Sequence, residues 1–188
     1  MPDSIIITLP WIIHSSVGLS FKELLESIVQ DTLRELNVKV KIESVASSEM
    51  PYTKFTSEEE DFAITVYSNA LVFEFSVFDE NQRNILVLIL DKLKEKNIPL
   101  PTEVSIYTST LLSGKKFTNL IVFTDKEYIP VSIKLIKNEG KIKELITIER
   151  YGIYSSDVLL TLEVIMDDIL KGIDYIFKEK EKFVKALQ

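Results

Sequence analysis

The last stretch of the chain, residues 156–188, decides the predicted fold, and it reads SDVLLTLEVIMDDILKGIDYIFKEKEKFVKALQ. It contains no proline, and its apolar residues recur at gaps of mostly three and four, the spacing of an amphipathic helix. These positions are Leu159, Leu162, Met166, Ile169, Ile173, Ile176, Phe183 and Leu187. We therefore predict one C-terminal helix roughly 50 Å long, whose apolar stripe must be covered by a sheet or by a partner.

The character of this predicted helix changes near Gly172. Residues 158–170 are apolar nearly all round, which is typical of a helix covered on several sides. From Lys171 onward charged residues dominate, with Asp174 and Lys178 at helical i,i+4 spacing. We expect the first half to lie against a sheet and the second half to form an interface. The predicted interface residues are Ile173, Ile176, Phe177, Phe183 and Leu187.

The chain before this stretch predicts alternating strands and helices. Residues 4–13 form a β-branched run, Ser20 and Glu23 have the spacing of a capping box, and residues 38–43 alternate as a half-buried strand. Residues 46–61 are polar and predict a long irregular loop, whereas Ser68-Asn69 predicts a hairpin turn.

The rest of the chain completes the predicted order. Asp79 and Gln82 predict a second capping box, and the helix that they open runs to about Asn97. Four strands follow, of which the third, 128–136, has an apolar face through Val131 and Leu135, while Pro130 suggests an edge or a bulge. The order β-α-β-β-β-α-β-β-β-β-α predicts a single α+β domain, 1–188, with a mainly antiparallel, curved sheet of about eight strands packed on three helices.

Composition excludes several classes of function. The 188 residues are 46% hydrophobic and 27% charged, which is globular, and they include no cysteine, so that disulfides, thiolate metal sites and cysteine nucleophiles are excluded. The net charge of -7 opposes nucleic-acid binding. No apolar run reaches about 18 residues, and the apolar start lacks a signal peptide's basic flank, so we expect a cytoplasmic protein without membrane contact. The absence of cysteine and the abundant Ile, Lys and Glu fit a thermophile or AT-rich coding DNA.

Charge is distributed unevenly along the sequence. Residues 43–80 contain nine acidic residues and one basic residue, Lys54, whereas residues 115–150 contain eight basic residues and five acidic ones. Such asymmetry indicates two solvated surfaces, complementary faces in an oligomer, or a patch for an acidic partner.

The loop after the first strand is the first candidate site. His14 is the only histidine, and with Ser15, Ser16 and Gly18 it lies between a strand and a helix, where free amides could hold an anion. No phosphate-loop or dinucleotide motif is present, and a catalytic histidine would need an orienting carboxylate and a nucleophile that no local motif supplies. A structural or exposed histidine is the alternative. Arg150 and Tyr154, before the last helix, form a second candidate pocket.

Metal and cofactor signals are weak. The acidic run 58–61 lacks the spacing of a calcium loop, and Asp167-Asp168 has no accompanying Glu-x-x-His motif. Residues 113–116 predict a basic turn rather than a phosphate loop. We therefore expect no metal, no cofactor and no catalytic residue.

The sequence favours a non-enzymatic interaction or scaffold protein that self-associates or docks a partner through its C-terminal helix. The alternative is a small-molecule-binding domain, with a cavity between a curved sheet and the long helix. An enzyme centred on His14 is the third class, and a nucleic-acid role is disfavoured by the charge.

Overall fold

The computed structural model describes residues 4–14, 17–46, 50–113, 121–123, 126–128, 130–152, 155 and 157–188. The chain divides into two compact units, Met1–Val104 (unit 1) and Ser105–Gln188 (unit 2). Unit 1 contains β1 (Ile5–Pro10), α1 (Gly18–Glu35), β2 (Lys41–Val45), β3 (Tyr52–Ser57), β4 (Phe62–Tyr67), β5 (Ala70–Phe75) and α2 (Glu80–Glu95). Unit 2 contains β6 (Val104–Ser113, starting on the last residue of unit 1), β7 (Ile121–Phe123), β8 (Lys126–Tyr128), β9 (Ser132–Glu139), β10 (Ile142–Arg150), β11 (Asp157–Met166) and α3 (Ile169–Leu187).

Unit 1 is built on antiparallel strands in the order β2-β3-β4-β5-β1. Alternate side chains of these strands form one buried apolar face, as period-two patterning requires. One row across it joins Ile7, Phe73, Ile64 and Phe55, which lie opposite one another in register and are all buried. Helix α1 contacts both β4 and α2, so that its buried side chains cover this apolar face.

Local sequence determines where the two helices of unit 1 begin and end. Asp79 caps α2 and forms the predicted capping box with Gln82. Asn37 and Asn97 follow α1 and α2 in the left-handed conformation, which asparagine tolerates better than most residues. The predicted capping box of Ser20 and Glu23 is wrong, because α1 begins at Gly18 and its N-cap, Val17, has no side-chain hydrogen bond.

The prediction of an irregular loop over residues 46–61 is also wrong in part, because β3 lies within it. The buried face of β3 carries Thr53 and Ser57 beside Phe55, so it lacks the apolar alternation by which strands are recognised. The burial of Thr53 is compensated because its hydroxyl group accepts a hydrogen bond from Lys22 and donates one to Glu26, both on α1. The buried hydroxyl group of Thr53 is therefore satisfied by a helix that is distant in sequence.

Unit 2 has the strand order β6-β11-β10-β9, together with a short antiparallel hairpin of β7 and β8. Strands β9, β10 and β11 pair in antiparallel register, and Gly140, at a φ of 59°, makes the turn between β9 and β10 as its sequence predicts. Alternate residues of β11 are buried from Val158 to Met166, and α3 packs against this strand.

The predicted single helix over residues 156–188 is wrong in its first half, which is the strand β11 followed by a break at Asp167 and Asp168. The side chain of Asp168 caps α3 by accepting a hydrogen bond from the backbone N–H of Lys171 at 3.1 Å. The remaining helix has 19 residues and is therefore about 28 Å long.

The α+β class, the antiparallel strands and a long C-terminal helix are confirmed. The described residues add β3, β11 and a short hairpin strand to the strands predicted. The single-domain interpretation stays a prediction.

Candidate functional site

The predicted interface on α3 is largely covered by the chain itself. Ile173, Ile176 and Leu187 are buried, whereas Phe177 and Phe183 are half-buried. Even Lys180, the polar member of the stripe, is buried, and its ammonium group lies 3.5 Å from the hydroxyl oxygen of Thr108 on β6. Most of the stripe is therefore used for packing within unit 2.

A polar contact joins α3 to β10 beside this packed stripe. The hydroxyl group of Tyr175 donates to Oε2 of the buried Glu144 at 3.1 Å, and burial, together with this hydrogen bond, raises the pKa of Tyr175. The other carboxylate oxygen, Oε1, is buried and has no hydrogen-bond partner among the described residues. Lys137 of β9 lies opposite Glu144 in register and partly offsets the effect on Tyr175.

The His14 loop lines a cavity of about 320 Å³ in unit 1. The lining residues are Ile13, His14, Gly18, Leu19, Pro51, Ser68 and Asn69. Two contacts hold this end of the unit together: the backbone N–H of Trp11 donates to the carbonyl of Asn69 at 2.7 Å, and the indole N–H of Trp11 donates to the carbonyl of Pro99 at 2.7 Å. The cavity therefore lies where β1, the β4–β5 turn and the start of α1 meet.

The structure brings His14 and Gly18 of the predicted anion site together in this cavity, while Ser15 and Ser16 lie outside the described residues. His14 is exposed, and Gly18 is buried against Ser68, with an added Cβ only 3.4 Å from the Cβ of Ser68. Leu19, a large apolar side chain of the lining, is exposed. This apolar rim suits a hydrophobic ligand better than an anion, and the anion site stays a prediction.

The second predicted pocket lies in unit 2, and Arg150 is its buried member. Its Nε donates to the carbonyl of Pro130 at 3.2 Å, and its Nη1 donates to that of Ser155 at 2.6 Å. These bonds fix the guanidinium group to the backbone on both sides of β10, which is a structural use. A cavity of about 420 Å³ lies beside it, lined by Glu149, Arg150, Tyr151, Gly152 and Leu159, and Tyr154 lies outside the described residues.

Strand β9, for which the sequence predicts an apolar face, has mostly exposed side chains. Leu135 is 43% exposed and Ile136, on the opposite face, is 74% exposed. The strand ends the order of unit 2, which explains the exposure, and Pro130 gave the one sequence signal of an edge. On the outer face, away from α3, Ile136 lies opposite Leu145, and a cavity of about 240 Å³ opens beside Ile165.

Charged residues accompany these apolar side chains on β9. The ammonium group of Lys137 lies 2.7 Å from the carboxylate of Glu139. Their hydrogen bond and mutual attraction raise the pKa of Lys137 and lower the pKa of Glu139, so both side chains stay charged over the physiological range. An edge strand with this pattern presents a fixed order of charges to any strand that pairs with it.

The fold and these surfaces define an α+β protein of antiparallel strands with open strand edges. No family model matches the chain, and comparison with curated proteins finds no significant sequence match. In the part of the chain that the structure describes, no three His, Asp or Glu side chains are grouped to hold a metal ion. No helix within the same ranges is both long and apolar enough to cross a membrane.

Proposed function

We propose that this chain is a non-enzymatic interaction protein, which self-associates or docks a protein partner. The supporting observation is β9, an edge strand with Leu135 exposed on one face and Ile136 on the other. Unpaired N–H and C=O groups on such an edge bind an added strand, and exposed apolar side chains add a contact area to those hydrogen bonds. The sequence placed the contact on α3, where Phe177 and Phe183 remain half-buried at its margin.

Site-specific photo-crosslinking in cells tests this proposal. A benzophenone amino acid is placed at Ile136, and the matched control places it at Glu181, an exposed position on α3. We expect a discrete adduct from position 136 that position 181 does not give. An adduct of twice the chain mass identifies a second copy, and another discrete mass identifies a different partner. The proposal is contradicted if position 136 gives no discrete adduct and the purified protein sediments as a single chain.

The cavity beside His14 supports small-molecule binding as a second candidate function. Its volume of about 320 Å³ is at the lower end of the range of ligand pockets, and its lining is mostly apolar with His14, Ser68 and Asn69 as polar groups. The alternative position, between sheet and α3, is tightly packed at Gly172, where an added methyl group would meet Ile106 and Met166. A fragment screen by NMR tests this candidate, since binders should shift resonances of Leu19 and lose affinity in Leu19→Asp.

A further inference from the structure

Among the strands that the structure describes, β2 in unit 1 and β9 in unit 2 each have a neighbour on one side only. Strand β2 pairs with β3, and β9 pairs with β10, and each ends the strand order of its unit. Nearly all their side chains are exposed. Within the ranges that the structure describes, neither Lys41 nor Glu43 of β2 has an ion-pair or hydrogen-bond partner for its side chain.

The backbone groups that face outward from β9 follow from its pairing with β10. Directly opposite residues of an antiparallel pair alternate between hydrogen-bonded and non-hydrogen-bonded positions. The N–H of Arg150 donates to the carbonyl of Val131 at 2.8 Å, and these two residues continue the β9–β10 register by one pair. Odd-numbered residues of β9 therefore bond to β10, and the even-numbered residues, including Ile136 and Asn138, direct their N–H and C=O groups outward.

The same reasoning applies across unit 1 to β2. The N–H of Ser76 donates to the carbonyl of Asp61 at 2.9 Å, which continues the β4–β5 register and assigns odd-numbered residues of β4 to β5. Even-numbered residues of β4 then bond to odd-numbered residues of β3, and even-numbered residues of β3 bond to odd-numbered residues of β2. The outward-facing residues of β2 are therefore Ile42 and Ser44.

We infer that β2 of one copy adds antiparallel to β9 of a second copy, an inference that rests on the proposed function and names the partner. In the register that we assign, Lys41 lies opposite Glu139, Glu43 opposite Lys137, and Val45 opposite Leu135. The outward-facing Ile42 and Ser44 then lie opposite the outward-facing Asn138 and Ile136, so the outward backbone groups of these four residues are satisfied. The charged pairs fall at non-hydrogen-bonded positions, where Cα atoms are about 4.5 Å apart and side chains are closest.

Charge selects this register over its neighbours. A slip of two residues, which keeps the hydrogen bonds in phase, places Lys41 opposite Lys137 in one direction and Glu43 opposite Glu139 in the other. After a slip of one residue, the outward-facing N–H and C=O groups of one strand lie opposite residues whose backbone groups are already hydrogen-bonded within their own sheet. Like charges directly opposite each other are destabilising, so only the assigned register pairs both charges correctly.

Pairing of two identical edges uses fewer residues when it places a lysine opposite a glutamate. Two β2 strands, or two β9 strands, can also place a lysine opposite a glutamate in phase, but only three residues of each strand then overlap. The β2–β9 pairing uses all five residues of β2. It also joins the acidic stretch 43–80, which begins at Glu43, to the basic stretch 115–150, which contains β9. The contact is heterologous, because it joins β2 of one copy to β9 of another. Each added copy still offers a β2 or a β9 edge to the next one, so the contact builds rings or filaments.

A mixing experiment with two charge reversals tests this contact. Glu43→Lys and Lys137→Glu each place like charges across the interface, so we expect each variant alone to associate at least about tenfold more weakly than the wild type in low salt. In an equimolar mixture, Lys at position 43 of one variant lies opposite Glu at position 137 of the other, so unlike charges meet. The unchanged β2 of the second variant and the unchanged β9 of the first also carry complementary charges. Sedimentation velocity should therefore show association restored in the mixture. Glu181→Lys, a reversal at an exposed position on α3, is the control and should associate as the wild type does.

Other outcomes overturn the inference in identifiable ways. If Lys137→Glu associates normally while Glu43→Lys does not, two β2 strands pair, and the opposite result indicates two β9 strands. A mixture that stays dissociated when both variants have lost association shows that the assigned register is wrong. A wild-type protein that sediments as a single chain at its highest soluble concentration overturns self-pairing, while a crosslink from Ile136 to a different protein would leave the proposed function standing.

Discussion

Replacing Gly172 by Ala should lower the free energy of unfolding by about 1–2 kcal/mol. Gly172 lies in α3 where the helix crosses closest to its neighbours in unit 2. An added methyl group would overlap the Cδ1 atom of Ile106 and lie 2.8 Å from Sδ and 3.2 Å from Cγ of Met166. Ordinary contacts between carbon atoms are about 3.5–4.0 Å, and both neighbours are buried, so neither can move into solvent.

Two opposing effects determine the size of this change. Overpacking a well-packed core costs about 1–3 kcal/mol, and overlap with two buried side chains favours the upper half of that range. Alanine is about 1 kcal/mol better than glycine in a helix interior, which offsets part of the cost. The net loss is therefore about 1–2 kcal/mol, opposite in sign to the effect of the same substitution in an exposed helix.

Urea unfolding followed by circular dichroism measures the change, and a double-mutant cycle assigns its cause. Ile106→Val removes the overlapping Cδ1 atom and alone should cost about 0.5–1.5 kcal/mol. Combined with Gly172→Ala, its cost should fall by about 1 kcal/mol or more, because the two changes compensate. Ile148→Val, another buried position of unit 2, is the control and should be additive. An alanine variant at least as stable as the wild type, with no coupling to Ile106→Val, would refute the close packing of α3 on β6.

Three further predictions concern stability and ionisation. Asp79→Ala should destabilise the protein by about 1 kcal/mol in urea unfolding, because α2 loses its capping box, and unchanged stability would contradict this. Ile176→Ala should cost about 2–5 kcal/mol, whereas Ile136→Ala should change stability by no more than about 0.5 kcal/mol, because only Ile176 is buried. Burial raises the pKa of Tyr175, so its neutral form stabilises the fold fully below about pH 10, and this contribution is lost as pH rises through the raised pKa. Glu144→Gln should move the phenolate absorbance titration, assigned by difference from Tyr175→Phe, toward lower pH, and an unmoved titration would remove Glu144 as a cause.

The sequence predicted the class of the fold because most elements have one dominant pattern. The hairpin at Ser68-Asn69, the capping box of Asp79 and the turn at Gly140 are local, and local chemistry determines each of them. Strand β3 was missed for the opposite reason. Its buried Thr53 is satisfied by α1, which is distant in sequence, so no local pattern could reveal it.

Strand β11 was mistaken for helix because its apolar residues fit both periods. Val158, Leu160, Leu162 and Val164 alternate and are fully buried, while Leu159 and Ile165 on the other face of the strand are half-buried. A helix covered on several sides and a strand covered on one face and partly on the other give the same run of apolar residues. The distinguishing signal was Asp167-Asp168, since an N-cap there starts a helix after the run rather than within it.

The candidate surfaces were harder to predict than the fold because exposure depends on tertiary packing. Val131 and Leu135 alternate as a buried face would, yet both are exposed, directly before and within the strand that ends the order of unit 2. The apolar stripe of α3 gives the reverse case, since Ile173 and Ile176 are covered by the sheet of their own unit. Periodicity indicates which residues share a face, and what packs against that face decides whether it meets solvent.

The charge asymmetry of the sequence can be interpreted once it is known which residues of β2 and β9 direct their backbone groups outward. From sequence alone, an acidic stretch and a basic stretch fit two solvated surfaces as well as complementary ones. Because only outward-facing backbone groups can pair, every second antiparallel register between β2 and β9 is allowed. Among these, one register places both charged residues of β2 opposite residues of unlike charge on β9. Lysine on an edge strand ordinarily discourages pairing. Here Lys41 and Lys137 oppose each other in one neighbouring in-phase register, Glu43 and Glu139 oppose each other in the other, and in the assigned register each lysine meets a glutamate. The same four residues therefore act against both slipped registers and in favour of one defined contact.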